Sequence, residues 1–188
     1  MAAMKYTVFL DRDGVINIDS ADYIKDESEF FFIEKSPEAV SMLCKAGIDV
    51  IIITNQSAID RGLTTKTRLE KIFNKMKSGI YDAGGEIKDI FYCPHHPAKG
   101  CTCRKPRPGL ILKAQKKYGI DLLNSCMVGD SAKDIECAVN AGCGLSILVG
   151  ASNGRKAKNQ LAEKGVKPDF TAENLFEAVE WLLNELND

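Results

Sequence analysis

Short apolar runs alternate along the chain with longer segments whose apolar residues recur at helical spacing. The short runs predict buried strands over residues 6–10, 48–53, 87–92, 126–128 and 145–149. The periodic segments predict helices over residues 36–47, 65–83, 109–118, 132–141 and 175–183. Because strands and helices alternate, we expect an α/β fold with one doubly wound parallel sheet, Rossmann-like, and right-handed crossovers.

Local signals support these boundaries. Ser36-Pro37-Glu38 has the capping hydroxyl, early proline and acidic first turn of a helix start. The segment 65–83 places five apolar residues on one stripe, predicted to be core: Leu69, Ile72, Phe73, Met76 and Ile80. Residues 93–108 are predicted to be irregular, and the turn Gly150–Arg155, with the lysine-rich stretch after it, is predicted to be solvated surface.

Composition narrows the class of protein. A chain of 188 residues, 45% of them hydrophobic, suggests one domain spanning residues 1–188. No apolar run is long enough to cross a bilayer. The net charge of −1 does not indicate the excess of basic residues that is typical of nucleic-acid binding. Residues Met1–Tyr6 lack the pattern of a secretion signal. We therefore expect a cytoplasmic protein, with its seven cysteines mostly reduced and with no membrane or nucleic-acid partner.

Polar side chains follow three of the predicted strands at the point where each strand ends. Asp11 and Asp13 follow the first strand, Thr54 the second and Asp130 the fourth, with Asp134 one helical turn further on. Ligands of open parallel sheets bind beyond the carboxyl ends of the strands. Carboxylates gathered there would repel one another without a cation, and oxygen ligands suit Mg²⁺, which binds phosphate in turn.

These segments resemble the four motifs of the haloacid dehalogenase (HAD) superfamily of phosphotransferases. The motifs are Phe9-Leu10-Asp11-Arg12-Asp13-Gly14-Val15, Ile53-Thr54-Asn55-Gln56, Arg104-Lys105-Pro106 and Val128-Gly129-Asp130-Ser131-Ala132-Lys133-Asp134. The resemblance covers nearly the whole chain, and each motif lies at the boundary of a predicted element.

The resemblance implies a phosphatase that uses an aspartyl-phosphate intermediate. Asp11 would be the nucleophile, and Asp13 would be the general acid and then the general base. Mg²⁺ would lie between the Asp11 carboxylate, the backbone carbonyl of Asp13 and Asp130.

The resemblance also implies the groups that bind phosphate. Thr54 and Lys105 would stabilise the phosphate oxygens in the transition state, and Asp134 would orient Lys105 or a metal-bound water. Three further residues of these motifs, Asn55, Gln56 and Ser131, and the adjacent Ser57 are predicted to contact the substrate.

A cluster of soft ligands lies in the irregular segment. Cys93, His95, Cys101 and Cys103 match a closed tetrahedral zinc site, which is a structural kind of site. The alternative is a flexible loop with three free thiols. We favour zinc, because a loop so poor in apolar residues cannot become ordered by burial. Zinc would then hold the neighbouring Arg104 and Lys105 in place. His96 remains either a bystander or a substrate-facing group.

Neither of the two places where a cap domain could be inserted is long enough to hold one. We therefore expect the residues that bind the substrate to lie on short loops. The open site would suit extended or doubly charged substrates, with Asp19 and Asp22 accepting hydrogen bonds from hydroxyl groups and Arg104 clamping a second phosphate. Solubility of the loop is the competing explanation for the two aspartates.

Within the superfamily, the motifs are most similar to phosphatases that convert D-glycero-D-manno-heptose 1,7-bisphosphate to the 1-phosphate in bacterial surface-sugar biosynthesis. Histidinol-phosphate phosphatases are the close alternative. Two other classes are a non-catalytic zinc module that binds phosphorylated partners and an enzyme acting on polynucleotide ends. We expect a monomer that acts on a small phosphorylated sugar.

Overall fold

The computed structural model describes residues 5–187, without the side chains of residues 151–155. The first four residues of the segment considered for a secretion signal lie outside this range. Six parallel strands form one sheet in the order β3-β2-β1-β4-β5-β6. The strands are β1 (Thr7–Leu10), β2 (Asp49–Asn55), β3 (Asp89–Cys93), β4 (Ser125–Gly129), β5 (Leu145–Val149) and β6 (Phe170–Ala172).

Helices cover both faces of the sheet. They are α1 (Ser36–Lys45), α2 (Lys66–Asp82), α3 (Gly109–Tyr118), α4 (Ala132–Ala141), α5 (Ala151–Glu163) and α6 (Leu175–Glu185), with short 3-10 helices at Glu27–Glu29, Pro97–Lys99 and Leu122–Asn124. Along β1, Val8 and Leu10 pack with residues of α1, α2 and α6, whereas Phe9 packs on the opposite face with residues of α3 and α4. Because successive side chains of a strand point to opposite faces, β1 contributes residues to a hydrophobic core on each face of the sheet. The predicted doubly wound fold is therefore confirmed.

Helix α2 illustrates how the local sequence sets an element. The side chain of Thr65 accepts a hydrogen bond from the backbone N–H of Arg68 and caps the helix. All five residues of the predicted apolar stripe are buried. The helix ends before Gly84, whose φ of 83° is one that glycine adopts without strain.

The end of the chain differs from the sequence prediction. Residues of the expected turn Gly150–Arg155 begin helix α5, and the short strand β6 was not predicted. Helix α5 buries Ala157 and Leu161, which lie four positions apart, against Ile135 and Leu148. Most of its other residues are polar, and this conceals the helical period.

The two connections that could hold a cap domain are short. Residues 11–35 link β1 to α1 and residues 94–108 link β3 to α3, each with a single 3-10 turn. The predicted capless arrangement is therefore confirmed for the described range. No helix among residues 5–187 has the length and apolar character needed to cross a membrane.

Candidate active site

The central strands deliver the predicted carboxylates to one edge of the sheet. Strands β2, β1 and β4 are neighbours, so Thr54, Asp11 and Asp130 emerge side by side. Gly14 makes this approach possible, because it has a φ of 77° and a Cβ there would lie 2.2 Å from Oδ2 of Asp130.

Lys105 is the buried cation of the site. Its side chain is 2% exposed, and Nζ lies 2.9 Å from Oδ1 of Asp11, 2.6 Å from Oδ1 of Asp134 and 2.8 Å from the carbonyl oxygen of Ile53. Burial opposes the charge, but the two carboxylates outweigh it and raise the pKa of Lys105 above its usual value. Lys105 is therefore a fixed positive charge beside Asp11.

Asn55 holds the backbone of Lys105. Its Nδ2 donates to the carbonyl oxygen of Lys105 at 3.3 Å, and its Oδ1 accepts from the N–H of Lys105 at 3.1 Å. The Asn55 amide thus pairs with the backbone of Lys105 as the backbone of a neighbouring strand would. The side chain of Asn55, predicted to contact substrate, is thus bound to the segment that carries the lysine.

Ser131 has a similar local partner. Its hydroxyl donates to Oδ2 of Asp134 at 2.6 Å and its backbone N–H to the same atom at 3.1 Å, in a capping box at the start of α4. Asp134 is fully buried and joins this cap to Lys105. Asp134 therefore contacts Lys105, one of the two groups it is predicted to orient, and Ser131 contacts Asp134.

Asp13 accepts hydrogen bonds from three side chains. Arg12 donates from Nε and Nη2 to Oδ1 at 3.1 and 2.6 Å and from Nη2 to Oδ2 at 2.8 Å. Asn17 donates to Oδ1 at 3.0 Å and Gln56 to Oδ2 at 2.9 Å. Burial opposes ionisation of Asp13, but Arg12 and the two amides outweigh it and lower the pKa of this carboxyl.

Sequence reasoning missed Arg12 and Asn17 as parts of the site. Arg12 is only 1% exposed, and burial of an arginine requires a partner of opposite charge. The signal was present in the sequence, because Arg12 stands between two carboxylates directly after a buried strand.

The remaining carboxylates fit a hard cation. Ligand oxygens of Asp11, Asp130 and Asp134 lie within 4.8 Å of one another. Burial, with the charges of Asp11 and Asp134, raises the pKa of Asp130 to about 8. Burial also raises the pKa of Asp11 to about 7, with Asp134 and Asp13 adding to it and Lys105 opposing it. Crowded carboxylates of this kind are stabilised by a bound cation, and an all-oxygen donor set suits Mg²⁺.

The four predicted soft ligands also converge. The sulfur of Cys93 lies 3.5 Å from that of Cys101 and 3.3 Å from that of Cys103, and the last two are 3.4 Å apart. Nδ1 of His95 lies 3.6 Å from Cys93 and 3.3 Å from Cys103. Zn–S bonds of about 2.3 Å in a tetrahedral site separate sulfurs by about 3.8 Å, so this cluster fits zinc after a small expansion.

The three thiols of this cluster differ in their pKa. Burial opposes ionisation of Cys101, but hydrogen bonds from Cys103 and Cys93 outweigh it and lower the pKa of this thiol to about 6. Burial raises the pKa of Cys103, and it raises the pKa of Cys93 to about 12. Thiolate is the form of cysteine that binds metals, so the fit to a closed zinc site rests on the donor set and its geometry.

The Cys/His cluster is tied to the active site through backbone contacts. The carbonyl of Cys93 accepts from the N–H of Gln56 at 2.7 Å, and that of His95 accepts from Nη1 of Arg104 at 3.4 Å. His96 caps a 3-10 turn by accepting from Ala98 N–H at 3.1 Å. The cluster therefore stabilises both the strand end that carries Gln56 and the segment before Lys105.

The other predicted substrate contacts are spread over the rim and the interior. Asp19 and Asp22 are exposed on the connection after β1, whereas Gln56 and Ser57 are buried. Although the residue is exposed overall, partial burial of its carboxyl raises the pKa of Asp19, and the nearby charge of Asp13 adds to this. Asp22 contributes its backbone carbonyl to Lys25 Nζ at 3.2 Å.

The fold and the site define a class of enzyme. An aspartate beside a buried lysine, a second aspartate two residues on, a hydroxyl on the next strand and a cation site suit phosphoryl transfer to a carboxylate. The class is that of phosphoric monoester hydrolases.

Comparisons with known proteins place the chain within this class. A family profile described as HAD-hydrolase-like matches residues 102–178. The D-glycero-beta-D-manno-heptose-1,7-bisphosphate 7-phosphatase of Bordetella bronchiseptica is 40% identical over 180 residues, 95% of this chain and 98% of the relative. The protein of that name from Escherichia coli K12 is 36% identical, over 100% of this chain and 93% of the relative. The chain belongs to the HAD-like hydrolases, in the family of these phosphatases.

Solved structures agree with this assignment. The crystal structure of D,D-heptose 1,7-bisphosphate phosphatase from B. bronchiseptica, complexed with magnesium and phosphate, matches with a TM-score of 0.87 and 39% identity. The match covers 96% of this chain and 99% of that one. The D,D-heptose 1,7-bisphosphate phosphatase of Burkholderia thailandensis matches with a TM-score of 0.71 and 28% identity, over 98% and 100% of the two chains.

Proposed function

We propose that this protein hydrolyses the 7-phosphate ester of D-glycero-D-manno-heptose 1,7-bisphosphate and releases the heptose 1-phosphate. The observation that carries the proposal is the buried Lys105, which contacts both Asp11 and Asp134 at the carboxyl edge of the sheet. Full-length similarity to phosphatases with this substrate in their name supports the choice of ester.

The reaction proceeds by two displacements at phosphorus. An oxygen of Asp11 bonds to phosphorus as the ester bond breaks, and Asp13 transfers a proton to the leaving oxygen. Water then attacks phosphorus and loses a proton to Asp13, and the bond between phosphorus and Asp11 breaks. Thr54 donates a hydrogen bond to the phosphate oxygens, and the positive charge of Lys105 stabilises the negative charge on those oxygens in the transition state.

Two metal ions complete the proposed enzyme. When bound, Mg²⁺ neutralises the charge of the phosphate, and the residues that would hold it are Asp11, Asp13 through its backbone carbonyl, and Asp130. Zinc held by the Cys/His cluster is structural, because its four ligands leave no open position.

Substrate selectivity would come from the short connections around the site. Arg104 would bind the phosphate that does not react, since a guanidinium can contact phosphate bidentately. Asp19 and Asp22 lie on the connection after β1 and would accept hydrogen bonds from sugar hydroxyls. An open site of this kind suits a substrate with a phosphate at each end.

The sequence expectations on location and assembly are part of the same proposal. We infer a monomer that works in the cytoplasm on a free sugar phosphate, without nucleic acid. The near-balanced charge of the chain supports the last point.

Parallel assays test the proposal. Phosphate release is measured with Mg²⁺ from heptose 1,7-bisphosphate, histidinol phosphate and a 5′-phosphorylated oligonucleotide. We expect the highest kcat/KM on the heptose ester. Preference for histidinol phosphate or the oligonucleotide would replace the proposed substrate, and inactivity on all three would favour the non-catalytic alternative.

A further inference from the structure

Gln56 has no role in the proposed mechanism, although it contacts residues that do. It follows β2, is 5% exposed and is anchored by its N–H to the carbonyl of Cys93 at 2.7 Å. Its Nε2 lies 2.9 Å from Oδ2 of Asp13 and 2.9 Å from Oγ1 of Thr54. The amide of Gln56 therefore contacts both Asp13, the proposed general acid and base, and Thr54, the proposed phosphate-binding residue.

The chemistry of these contacts fixes the orientation of the amide. A reversed amide would place its carbonyl oxygen against the Asp13 carboxylate, and two acceptors would then face each other. The NH₂ group instead has two protons for two acceptors. Because the Thr54 hydroxyl accepts one of them, its own proton is left to point elsewhere.

We propose that Gln56 is a positioning residue that holds the Asp13 carboxylate and directs the Thr54 hydroxyl proton toward the substrate phosphate. This inference rests on the proposed function. The hydrogen bond from Gln56 keeps Oδ2 of Asp13 at the position from which Asp13 exchanges a proton with the leaving oxygen. The contribution of Gln56 is thus greatest where the leaving group needs a proton.

The dependence on the leaving group gives a selective test. Gln56→Met keeps the length of the side chain but removes both donors. We expect kcat on a sugar phosphate to fall by about 10- to 100-fold, the value of a hydrogen bond to a charged group. The loss on p-nitrophenyl phosphate should be smaller, because p-nitrophenolate leaves without a proton. Gln115→Met, the same change on α3, serves as the control and should leave both rates unchanged.

A double-mutant cycle gives a second, independent readout. If Gln56 acts through Asp13, adding Gln56→Met to Asp13→Asn should reduce kcat on the sugar phosphate by much less than it does in the wild-type protein. Three results would overturn the inference. The effects of Gln56→Met and Asp13→Asn could be fully additive, Gln56→Met could leave kcat unchanged, or it could reduce kcat equally on the sugar phosphate and on p-nitrophenyl phosphate. Thermal unfolding of each variant separates loss of folded protein from loss of kcat.

Two further outcomes are distinguishable. If Gln56→Met does not fold, Gln56→Glu, which keeps the shape but places an acceptor against Asp13, is measured in the same way and should show a larger loss on the sugar phosphate. If the wild-type protein releases no phosphate from either ester with Mg²⁺, the proposed function fails. If it does and the variants behave like Gln115→Met, only the role of Gln56 fails.

Discussion

Replacement of Lys105 by methionine tests the electrostatic centre of the site. The side chain keeps its length but loses the charge that lies 2.9 Å from Asp11 and 2.6 Å from Asp134. Asp134 is fully buried, so its charge would remain with no cation beside it. Breaking a buried ion pair from one side costs about 3–5 kcal/mol. At about 2–4 °C per kcal/mol for a chain of this size, Tm should fall by about 6–20 °C.

The matched control is Lys117→Met, which removes an exposed lysine whose Nζ lies 2.8 Å from Oδ2 of Asp89. Both variants are unfolded thermally in Mg²⁺-free buffer and followed by circular dichroism. Lys117→Met should shift Tm far less, because exposed ion pairs are screened by water. Adding Asp134→Asn to Lys105→Met should recover part of the lost stability. Equal shifts in Tm for the two lysine variants would refute the view that Lys105 offsets buried charge.

The remaining predictions concern the nucleophile, the two metal sites and one glycine. Asp11→Asn should keep the fold and lower phosphate release by about three orders of magnitude or more, and near-normal turnover would remove Asp11 from its role. Cys103→Ser should lower the bound zinc measured by mass spectrometry, together with Tm and kcat; full activity in zinc-free protein would contradict a positioning role for the cluster. Gly14→Ala should weaken activation by Mg²⁺, because its Cβ would meet Asp130, whereas Gly47→Ala, also at a φ of 77° but in open space, should lower only stability. Equal Mg²⁺ activation of the two glycine variants is the contrary result.

The strand ends were predictable from the sequence because the change from apolar to charged residues is abrupt there. Asp11, Thr54 and Asp130 each follow a short apolar run that is typical of a buried strand, and parallel strands bring their carboxyl ends to one edge. Helix α5 and strand β6 were not predicted, since two buried apolar residues among residues 156–163 and a three-residue strand carry too little periodicity.

Contacts between side chains were harder to predict than positions. Asn55 and Ser131 are predicted to contact the substrate, and in the structure Asn55 binds the backbone of Lys105 and Ser131 binds the carboxylate of Asp134. The position of Arg12 between two carboxylates indicates a partner of opposite charge, but only the structure shows that its guanidinium binds Asp13. Sequence therefore gives the chemical groups of the site, and the fold decides which of them hold the others in place.

We propose above all that this chain removes one phosphate from heptose 1,7-bisphosphate by way of Asp11. The most direct measurement follows the reaction of the wild-type protein and Asp11→Asn by ³¹P NMR with Mg²⁺. The wild-type protein should convert the bisphosphate to the 1-phosphate and inorganic phosphate, and Asp11→Asn should leave it intact. Removal of the phosphate group at position 1, or equal conversion of the bisphosphate by both proteins, would contradict the proposed reaction.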